Sequence, residues 1–242
     1  MGELVTYERK EGFSILCLNR PEKRNAISLE MAELLLEKLE QAEEDEIKFL
    51  VLTGAGDRMF CAGGDLNELH GELTNEEAFQ RLCPMMTVLK KIINFPVPVI
   101  ALLNGDALGG GCELATACDI RIARENTKFG FIQTNIGILP GWGGGAILYK
   151  KIQPSFALEW VMGGEILPAE ELRNYGWIQN VASEERWDSE QLLERYNKKS
   201  LKQMRLLKAQ FKTNIQVETL SEQMIEEVKT SSSLWDSEEH RK

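Results

Sequence analysis

The sequence predicts an α/β protein with a helical C-terminal part, and three observations lead to this expectation. Strand-like and helix-like segments alternate from the N-terminus to about residue 182. Two glycine-rich segments lie where a predicted strand passes into a predicted helix. The last sixty residues contain two long amphipathic patterns. We therefore expect an α/β core over residues 1–185 and a helical region over residues 186–242.

The first part of the chain combines short strands with an amphipathic helix. Residues 4–7 and 13–18 have the composition of two strands joined by a turn, and residues 48–53 (KFLVLT) predict a buried strand. Ser28 is a candidate N-cap. The helix that it begins carries apolar side chains at helical spacing, namely Met31, Leu34, Leu35, Leu39 and Ala42.

The middle of the chain predicts a long helix, followed by a strand, a short helix and another strand. Residues 74–77 match a capping box, and an apolar stripe follows them. Because Pro84 lies inside this stripe, we expect a kinked or broken helix. Strands are then predicted at residues 97–103 and 119–123, with a helix at residues 110–117 between them.

The C-terminal part predicts one strand, at residues 177–182, and then helices. Residues 189–211 and 216–229 both show apolar stripes at helical spacing. Such stripes pack either against the protein's own core or against a partner subunit. The pattern alone leaves both interpretations open.

The charge balance excludes several classes of partner. The chain has 242 residues, with 28 Lys and Arg against 38 Asp and Glu, and its formal net charge is −10. This charge repels phosphate backbones and anionic lipid, so we expect no nucleic-acid partner and no membrane partner. The longest uncharged apolar stretch, residues 95–103, is shorter than the roughly 20 residues of a membrane helix. With no signal-peptide pattern at the N-terminus, the sequence predicts a cytoplasmic protein.

The cysteines and histidines argue against disulfide and metal chemistry. Five cysteines, an odd number without a CxxC pair, are typical of reduced thiols. His70 and His240 are the two histidines of the sequence, and a zinc site or a His-based nucleophilic triad needs histidine together with particular partners. We therefore expect no metal ligands.

Two glycine-rich segments are candidates for binding a negative charge. Residues 61–66 (CAGGDL) and 109–114 (GGGCEL) each follow a strand candidate, so unshielded backbone N–H groups lie at the positive end of a helix dipole. Two such donors on one oxygen would stabilise a developing negative charge. The glycines also allow a plainer interpretation, in which they permit only tight turns and close packing. A third segment, residues 141–146 (GWGGGA), has dinucleotide-binding spacing but follows no clear strand.

Four segments together resemble the crotonase superfamily, also called the enoyl-CoA hydratase/isomerase family. They are LNRPEKRNAIS at residues 18–28, FCAGGDLNEL at 60–69, the segment from PVPVIALL to DIRIA at 96–123, and FGF with IGILPGWGGG within 129–145. The resemblance implies a spiral core of repeated ββα units and C-terminal helices that mediate trimerisation. It also implies a homotrimer or hexamer acting on an acyl-CoA thioester, with no separate cofactor because coenzyme A is part of the substrate.

The resemblance assigns roles position by position. The backbone N–H groups of Gly64 and Gly110 would form an oxyanion hole that holds the thioester oxygen as the substrate becomes an enolate. Asp65 could equally be a helix cap. The residues expected near the adenosine of the acyl-CoA substrate are Arg24, Ala26, Ala62, Asp65 and Leu66.

The sequence departs from a family hydratase at one catalytic position. Family hydratases use two glutamates, of which Glu113 corresponds to the first, whereas Gln133 occupies the position of the second. Gln133 can hydrogen-bond a water molecule but cannot accept and return a proton near neutral pH. The sequence thus lacks the second carboxylate of the two-carboxylate mechanism.

Together with the PGWGGG loop around Trp142, this departure resembles the malonyl-type acyl-CoA decarboxylases of the superfamily. Decarboxylation needs the oxyanion hole but no base, and Glu113 would then protonate the enolate. An apolar wall that includes Trp142 would desolvate the substrate carboxylate. Decarboxylation is therefore the leading expectation. The alternatives are a hydratase or isomerase that uses Glu113 alone, and an acyl-CoA-binding trimer without turnover in which Glu113 is a structural carboxylate.

Overall fold

The computed structural model describes residues 2–65, 68, 73–187 and 189–237, with only the backbone of Ser189. The strands are β1 Val5–Arg9, β2 Phe13–Leu18, β3 Phe49–Gly54, β4 Met59–Cys61, β5 Val99–Leu103, β6 Asp106–Leu108, β7 Ile120–Arg124, β8 Lys128–Gly130, β9 Leu167–Pro168 and β10 Asn180–Ala182. The helices are α1 Leu29–Glu44, α2 Asn75–Asn94, α3 Gly110–Ala117, α4 Gly144–Lys151, α5 Pro154–Gly163, α6 Ala169–Asn174, α7 Ser189–Asn197, α8 Leu201–Asn214 and α9 Val217–Ser232.

The strands form two sheets, and from β3 to β8 the chain alternates between a strand of one sheet and a strand of the other. The larger, six-stranded sheet has the order β1-β2-β3-β5-β7-β10, and the smaller, four-stranded sheet has the order β4-β6-β8-β9. Strands β3, β5 and β7 of the larger sheet are each followed by a strand of the smaller sheet, namely β4, β6 and β8. The pairs β4–β6 and β6–β8 are parallel, as are all pairs of the larger sheet except β1–β2. This confirms the predicted α/β class.

The larger sheet is covered on both faces, which explains its apolar strands. All five residues of β5 are buried, as expected for a parallel strand between two helical layers. On one face Leu193 of α7 and Met204 of α8 pack with Phe49, Ile100 and other buried side chains of the sheet. Helices α7 and α8 therefore bury part of their apolar surface on their own core, which was one of the two interpretations of these patterns.

Helix starts follow the predicted capping residues. The Ser28 hydroxyl accepts a hydrogen bond from the Met31 N–H at 3.1 Å, so the predicted N-cap of α1 is confirmed. At α2, Thr74 and Glu77 form the predicted capping box. Of the two outcomes expected at Pro84, a break is wrong, because α2 runs through the proline as one helix, and a kink stays a prediction. Its buried side chains, including Leu82 and Met86, keep it packed in the core across that position.

Several further boundaries differ from the sequence-based expectation, and the strands expected at residues 97–103 and 177–182 are Val99–Leu103 and Asn180–Ala182. The amphipathic pattern of residues 189–211 is two helices, because Ser200 caps α8 and ends the preceding run. The strand expected from residue 119 begins one residue later. Asp119 instead uses its carboxylate to accept the Val99 N–H at 2.7 Å. Among the helices that the structure describes, none is long and apolar enough to cross a membrane.

Candidate active site

An apolar cavity of about 230 Å³ lies where the two glycine-rich segments meet. Polar side chains in its lining come from Glu113, Gln133 and Ser231. The apolar lining includes Leu82, Ile132, Ile136, Ile138, Trp142 and Trp235. A mainly apolar cleft with a few convergent polar groups is the usual form of a small-molecule site.

The segment around Gly64 lies against the start of α3. A Cβ added at Gly63 would lie 3.2 Å from the backbone nitrogen of Gly110, so the two glycine-rich segments are in close contact. Gly64 forms a parallel bridge with Ile27, in which the Gly63 carbonyl accepts the Ile27 N–H and the Asp65 N–H bonds to the Ile27 carbonyl. The N–H of Gly64 itself is not used in this bridge.

The second donor is at the first residue of α3. Gly109, with φ of +54°, is the N-cap, and its carbonyl accepts the Cys112 and Glu113 N–H groups. Gly110 follows, and an N–H in the first helical turn has no partner within the helix. In the described part of the chain no protein acceptor takes the Gly64 or the Gly110 N–H. Both residues line the cavity, and their joint role as an oxyanion hole stays a prediction.

Trp142 packs directly on Gly110. A Cβ added at Gly110 would lie 2.4 Å from the indole ring, closer than any side chain could tolerate. The ring is 4% exposed and forms a wall of the cavity. Glycine at position 110 therefore serves two purposes, because it leaves the N–H unshielded and lets the indole approach.

The Glu113 carboxylate accepts four hydrogen bonds. Its Oε1 takes the Gln133 Nε2 at 2.9 Å and the Gly141 N–H at 3.1 Å. Its Oε2 takes the Trp142 N–H at 2.8 Å and the Gly144 N–H at 2.9 Å. A carboxylate has about four lone-pair positions, so all of them are filled.

The environment of Glu113 acts on its pKa in two opposed ways. Burial raises the pKa of the carboxyl group, which is 1% exposed, and the four hydrogen bonds to the charged form oppose that rise. To accept a proton, Glu113 must give up one donor. Three donors are backbone N–H groups fixed in the 141–144 loop, whereas the Gln133 carboxamide is a side chain that can rotate away. Proton transfer at Glu113 is thus coupled to a movement of Gln133.

Gln133 lines the cavity, and its two amide atoms differ in their contacts. Because its Nε2 donates to the Glu113 carboxylate, its Oε1 faces the other way. That oxygen is buried and has no protein partner among the described residues. A buried acceptor without a partner is costly, so the arrangement favours a water molecule or a substrate hydroxyl group at this position.

A second carboxylate holds the start of α4, the helix that follows the loop whose N–H groups donate to Glu113. Glu227 of α9 accepts the Gly145 N–H at 3.0 Å and the Ala146 N–H, both in the first turn of α4. Sequence reasoning did not find this residue, because it is one of several acids on an amphipathic pattern. Leu82, Ser231 and Trp235 were also missed as lining residues, since nothing local marks a helix that packs against a distant loop.

The remaining predicted substrate-binding residues lie in different places. Ala62 lines the apolar cavity together with the predicted Gly64, Gly110, Glu113, Gln133 and Trp142. Arg24 lines a separate, polar cavity of about 460 Å³, whose other lining residues include Glu22, Asp57 and Arg58. Leu66 lies outside the described residues.

Two predicted residues are tied to Arg20 instead. Asp65 is buried and accepts a hydrogen bond from Arg20 Nη1 at 2.6 Å, and the Ala26 carbonyl accepts one from the same nitrogen at 3.3 Å. Neither residue lines the apolar cavity. Their expected contact with adenosine stays a prediction.

Comparisons with known proteins match this chain to a single family. A family model described as Enoyl-CoA hydratase/isomerase matches residues 8–242. The Crotonyl-CoA hydratase of Syntrophomonas wolfei is 34% identical over 184 residues, which cover 76% of this chain and 70% of the relative. The mitochondrial Methylglutaconyl-CoA hydratase of Mus musculus is 34% identical over 175 residues, or 72% of this chain. The match spans only 55% of that relative's length.

The fold is also that of solved structures. The crystal structure of enoyl-CoA hydratase from Bacillus anthracis superposes with a TM-score of 0.81 at 31% identity, covering 92% of this chain and 90% of that one. This likeness confirms the expected α/β core with C-terminal helices. The names of the relatives contain hydratase, and the decarboxylase-like relationship expected from the sequence is not among them.

Proposed function

The chain belongs to the enoyl-CoA hydratase/isomerase family, and on that premise we propose that it adds water to the double bond of a 2-enoyl thioester of coenzyme A. One observation carries the proposal. Glu113, Gln133, Gly64 and Gly110 line one apolar cavity, and in the described part of the chain the Gln133 oxygen and the two glycine N–H groups have no protein partner. The relatives named as hydratases support hydration over the decarboxylation that the sequence favoured.

The two glycine N–H groups would hold the thioester oxygen. When water attacks carbon 3, the electron pair of the double bond moves towards the thioester carbonyl, and negative charge develops on its oxygen. Fixed donors from Gly64 and Gly110 stabilise this enolate at no cost of reorganisation. Loss of one such donor typically costs about 2.7–4 kcal/mol of transition-state stabilisation.

Gln133 and Glu113 would handle the water and its proton. The Gln133 Oε1 accepts a hydrogen bond from the attacking water, and the carboxamide swings away from Glu113 as the reaction begins. A C–O bond forms at carbon 3, the water O–H bond breaks, and the proton passes to Glu113. Glu113 then returns that proton to carbon 2, which restores the carboxylate and yields the 3-hydroxyacyl thioester. The same single base would also serve an isomerase that moves a proton between carbons.

Decarboxylation is the second candidate, and the filled lone pairs of Glu113 favour it. A carboxylate with four hydrogen bonds is poorly placed as a base, whereas loss of carbon dioxide from a malonyl-type thioester needs none. In that reaction the C–C bond breaks and its electron pair forms the same enolate, held by the same two glycines. The enolate then takes a proton from water or from a protonated Glu113.

Two assays on the purified protein separate the candidates. Loss of the enoyl absorbance of crotonyl-CoA reports hydration, and mass spectrometry of methylmalonyl-CoA and ethylmalonyl-CoA reports decarboxylation. We expect turnover of crotonyl-CoA. Turnover of the malonyl-type thioesters alone would overturn hydration in favour of the second candidate. If neither thioester changes while both raise the melting temperature, the protein binds acyl-CoA without acting on it.

The variant Glu113→Gln sharpens the distinction. It removes the single proton-transferring group, so hydration is expected to fall by about 10²–10⁴-fold. Loss of carbon dioxide needs no base and would persist. A folded Glu113→Gln protein, checked by circular dichroism, that hydrates crotonyl-CoA at the wild-type rate would contradict the role of Glu113.

A further inference from the structure

Two carboxylates from distant parts of the chain hold the first turn of α4. The Gly144 N–H donates to Glu113, and the next two N–H groups, of Gly145 and Ala146, donate to Glu227. The first four N–H groups of a helix have no partner within it. Glu113 on α3 and Glu227 on α9 thus satisfy three consecutive donors of this helix.

The approach of α9 to this loop is built into the sequence. A Cβ added at Gly143 would lie 2.8 Å from the Cβ of Met224, and one at Gly145 would lie 2.7 Å from Oε2 of Glu227. Met224 itself is fully buried. Glycine at both positions lets α9 come close enough for the Glu227 carboxylate to reach the helix start. A solvated surface acid would need neither glycine.

We propose that Glu227 is a positioning residue for Glu113, which it controls by fixing the first turn of α4. The positioning follows from chain continuity. The loop that donates to Glu113 through the Gly141, Trp142 and Gly144 N–H groups runs directly into the turn that Glu227 holds. The inference rests on the proposed function, in which Glu113 moves a proton.

Electrostatics couple the two carboxylates. Burial raises the pKa of Glu227 to about 8, and the charge of Glu113 adds to the rise. Glu113 has four donors and Glu227 has two, so Glu227 is the member of the pair that holds a proton near neutral pH. The other titratable group facing Glu227 in the described part of the chain is Tyr149 on α4, whose pKa is raised by burial and by Glu227. Helix α2, which also packs on α9, adds no charged group to this cluster among the described residues.

The raised pKa of Glu227 sets the direction in which the stability changes with pH. Between the ordinary carboxyl pKa of 4.5 and about 8, the folded state binds a proton at Glu227 that the unfolded chain has lost. The contribution of Glu227 to stability is therefore full below the lower value and declines as pH rises through this window. Above about pH 8 the new charge on Glu227 raises the proton affinity of Glu113. The rate should therefore change near pH 8, whereas the stability should fall from about pH 4.5 and level off above about pH 8.

The test compares the wild type with Glu227→Gln and with the control Glu226→Gln, an exposed neighbour on α9. The measurements are kcat and KM for crotonyl-CoA, and the melting temperature, from about pH 5 to 9.5. For the wild type and the control we expect an inflection of kcat near pH 8. In Glu227→Gln we expect that inflection to be absent and kcat to fall roughly ten- to a hundredfold. KM should change little, because Glu227 does not line the cavity.

Unchanged kcat and an unchanged inflection in folded Glu227→Gln would overturn the inference. If no thioester is turned over, the proposed function fails, yet the melting curves still decide. Loss of the pH slope in Glu227→Gln alone supports the inference, and the same slope in all three proteins refutes it. If Glu227→Gln does not fold, Glu227→Asp takes its place, since it keeps the charge but shortens the side chain. If Glu227→Asp keeps the inflection near pH 8 but has a lower kcat than the wild type, the positioning role is supported. If its kcat equals that of the wild type, the positioning role is contradicted.

Discussion

At the scale of single residues, the site depends on the contact between Gly110 and Trp142. The indole ring occupies the space that a side chain at position 110 would need. The same glycine lines the cavity at the first turn of α3, where its N–H is the proposed donor. Donor and wall are therefore fixed by one close approach, and a change on either side disturbs both.

Gly110→Ala tests this contact. The added methyl group would lie 2.4 Å from the Trp142 ring, so either the ring or the start of α3 must move. We expect a loss of about 1–3 kcal/mol in the free energy of unfolding, measured by urea denaturation, and a strong loss of turnover. The control is Gly163→Ala on α5, where the nearest atom to the added Cβ is 3.6 Å away. Equal free energies of unfolding for Gly110→Ala and Gly163→Ala would show that the Trp142 ring moves aside at little cost.

At the scale of elements, α3 is held at both ends. Its N-terminal turn carries Gly110 and Glu113 in the site. At its C-terminus Lys151 Nζ donates to the carbonyls of Thr116 at 2.8 Å, Ala117 at 3.0 Å and Cys118 at 2.7 Å. Burial lowers the pKa of Lys151 to about 7, and the nearby charge of Asp119 opposes this fall. Because Lys151 is the last residue of α4, this helix, which follows the loop that donates to Glu113, anchors the C-terminal end of α3.

Lys151→Met removes this anchor while keeping the length of the side chain. Three carbonyls at the end of α3 lose their shared donor, and we expect a cost of about 1–3 kcal/mol in unfolding free energy. Turnover should fall as well, since the site lies at the other end of α3. Lys150→Met, an exposed neighbour, serves as the control. The anchoring role would be refuted if urea midpoints of both variants matched the wild type.

At the scale of the whole molecule, the C-terminal helices are locked to the sheet by a buried ion pair. Lys208 of α8 is 2% exposed, and its Nζ lies 2.7 and 2.6 Å from the two carboxylate oxygens of Asp119. Asp119 also accepts the N–H of Val99 at the start of β5. The pair thereby ties a helix near the C-terminus to the strand that leads into the site.

Lys208→Met should therefore destabilise the whole fold. Removal of one partner leaves a buried carboxylate without its cation, at a cost of about 3–5 kcal/mol. Combining it with Asp119→Asn should recover part of this loss, because the stranded charge disappears. Lys202→Met, exposed on the same helix, is the control. Chemical denaturation of the wild type, the two single variants and the double variant checks the cycle, with the control alongside, and additive losses would argue against a coupled pair.

The global charge sets how the protein meets its proposed substrate. With a net charge of −10 it repels a polyanionic coenzyme A thioester over long range. Added salt shortens the screening length from ~30 Å at 0.01 M to ~10 Å at 0.1 M. We expect KM for crotonyl-CoA to fall with salt over this range, and KM for a neutral N-acetylcysteamine thioester to stay constant. A KM for crotonyl-CoA that rises with salt would instead show that local cations, such as Arg24 and Arg58, dominate.

The fold was largely predictable because its signals are local. The caps Ser28 and Thr74, the strand Phe13–Leu18 and the short helix Gly110–Ala117 are all written in neighbouring residues. Pro84 misled because buried packing along a helix outweighs one missing N–H group. Rules based on neighbouring residues include the cost of a proline inside a helix, but they do not include the packing of that helix in the core.

The site was predictable only in part. The glycines, Glu113 and Gln133 carry recognisable patterns, and the structure brings them around one cavity. The Glu227 contact was not predictable, because an acid on an amphipathic helix has the same pattern whether it faces solvent or a helix start some 80 residues away. The four hydrogen bonds on Glu113 were hidden for the same reason, since they depend on how a glycine loop folds back.

The cavity takes its wall from both halves of the chain, and this has a consequence for biosynthesis. Gly64 and Gly110 leave the ribosome early, whereas Ser231 and Trp235, which also line the cavity, are among the last described residues. Glu227, which holds α4, is equally late. A nascent chain can therefore form its sheets well before it has a closed substrate cavity. Activity should therefore arise only after α9 and Trp235 have been synthesised, so that shorter translation products are inactive even when their core has folded.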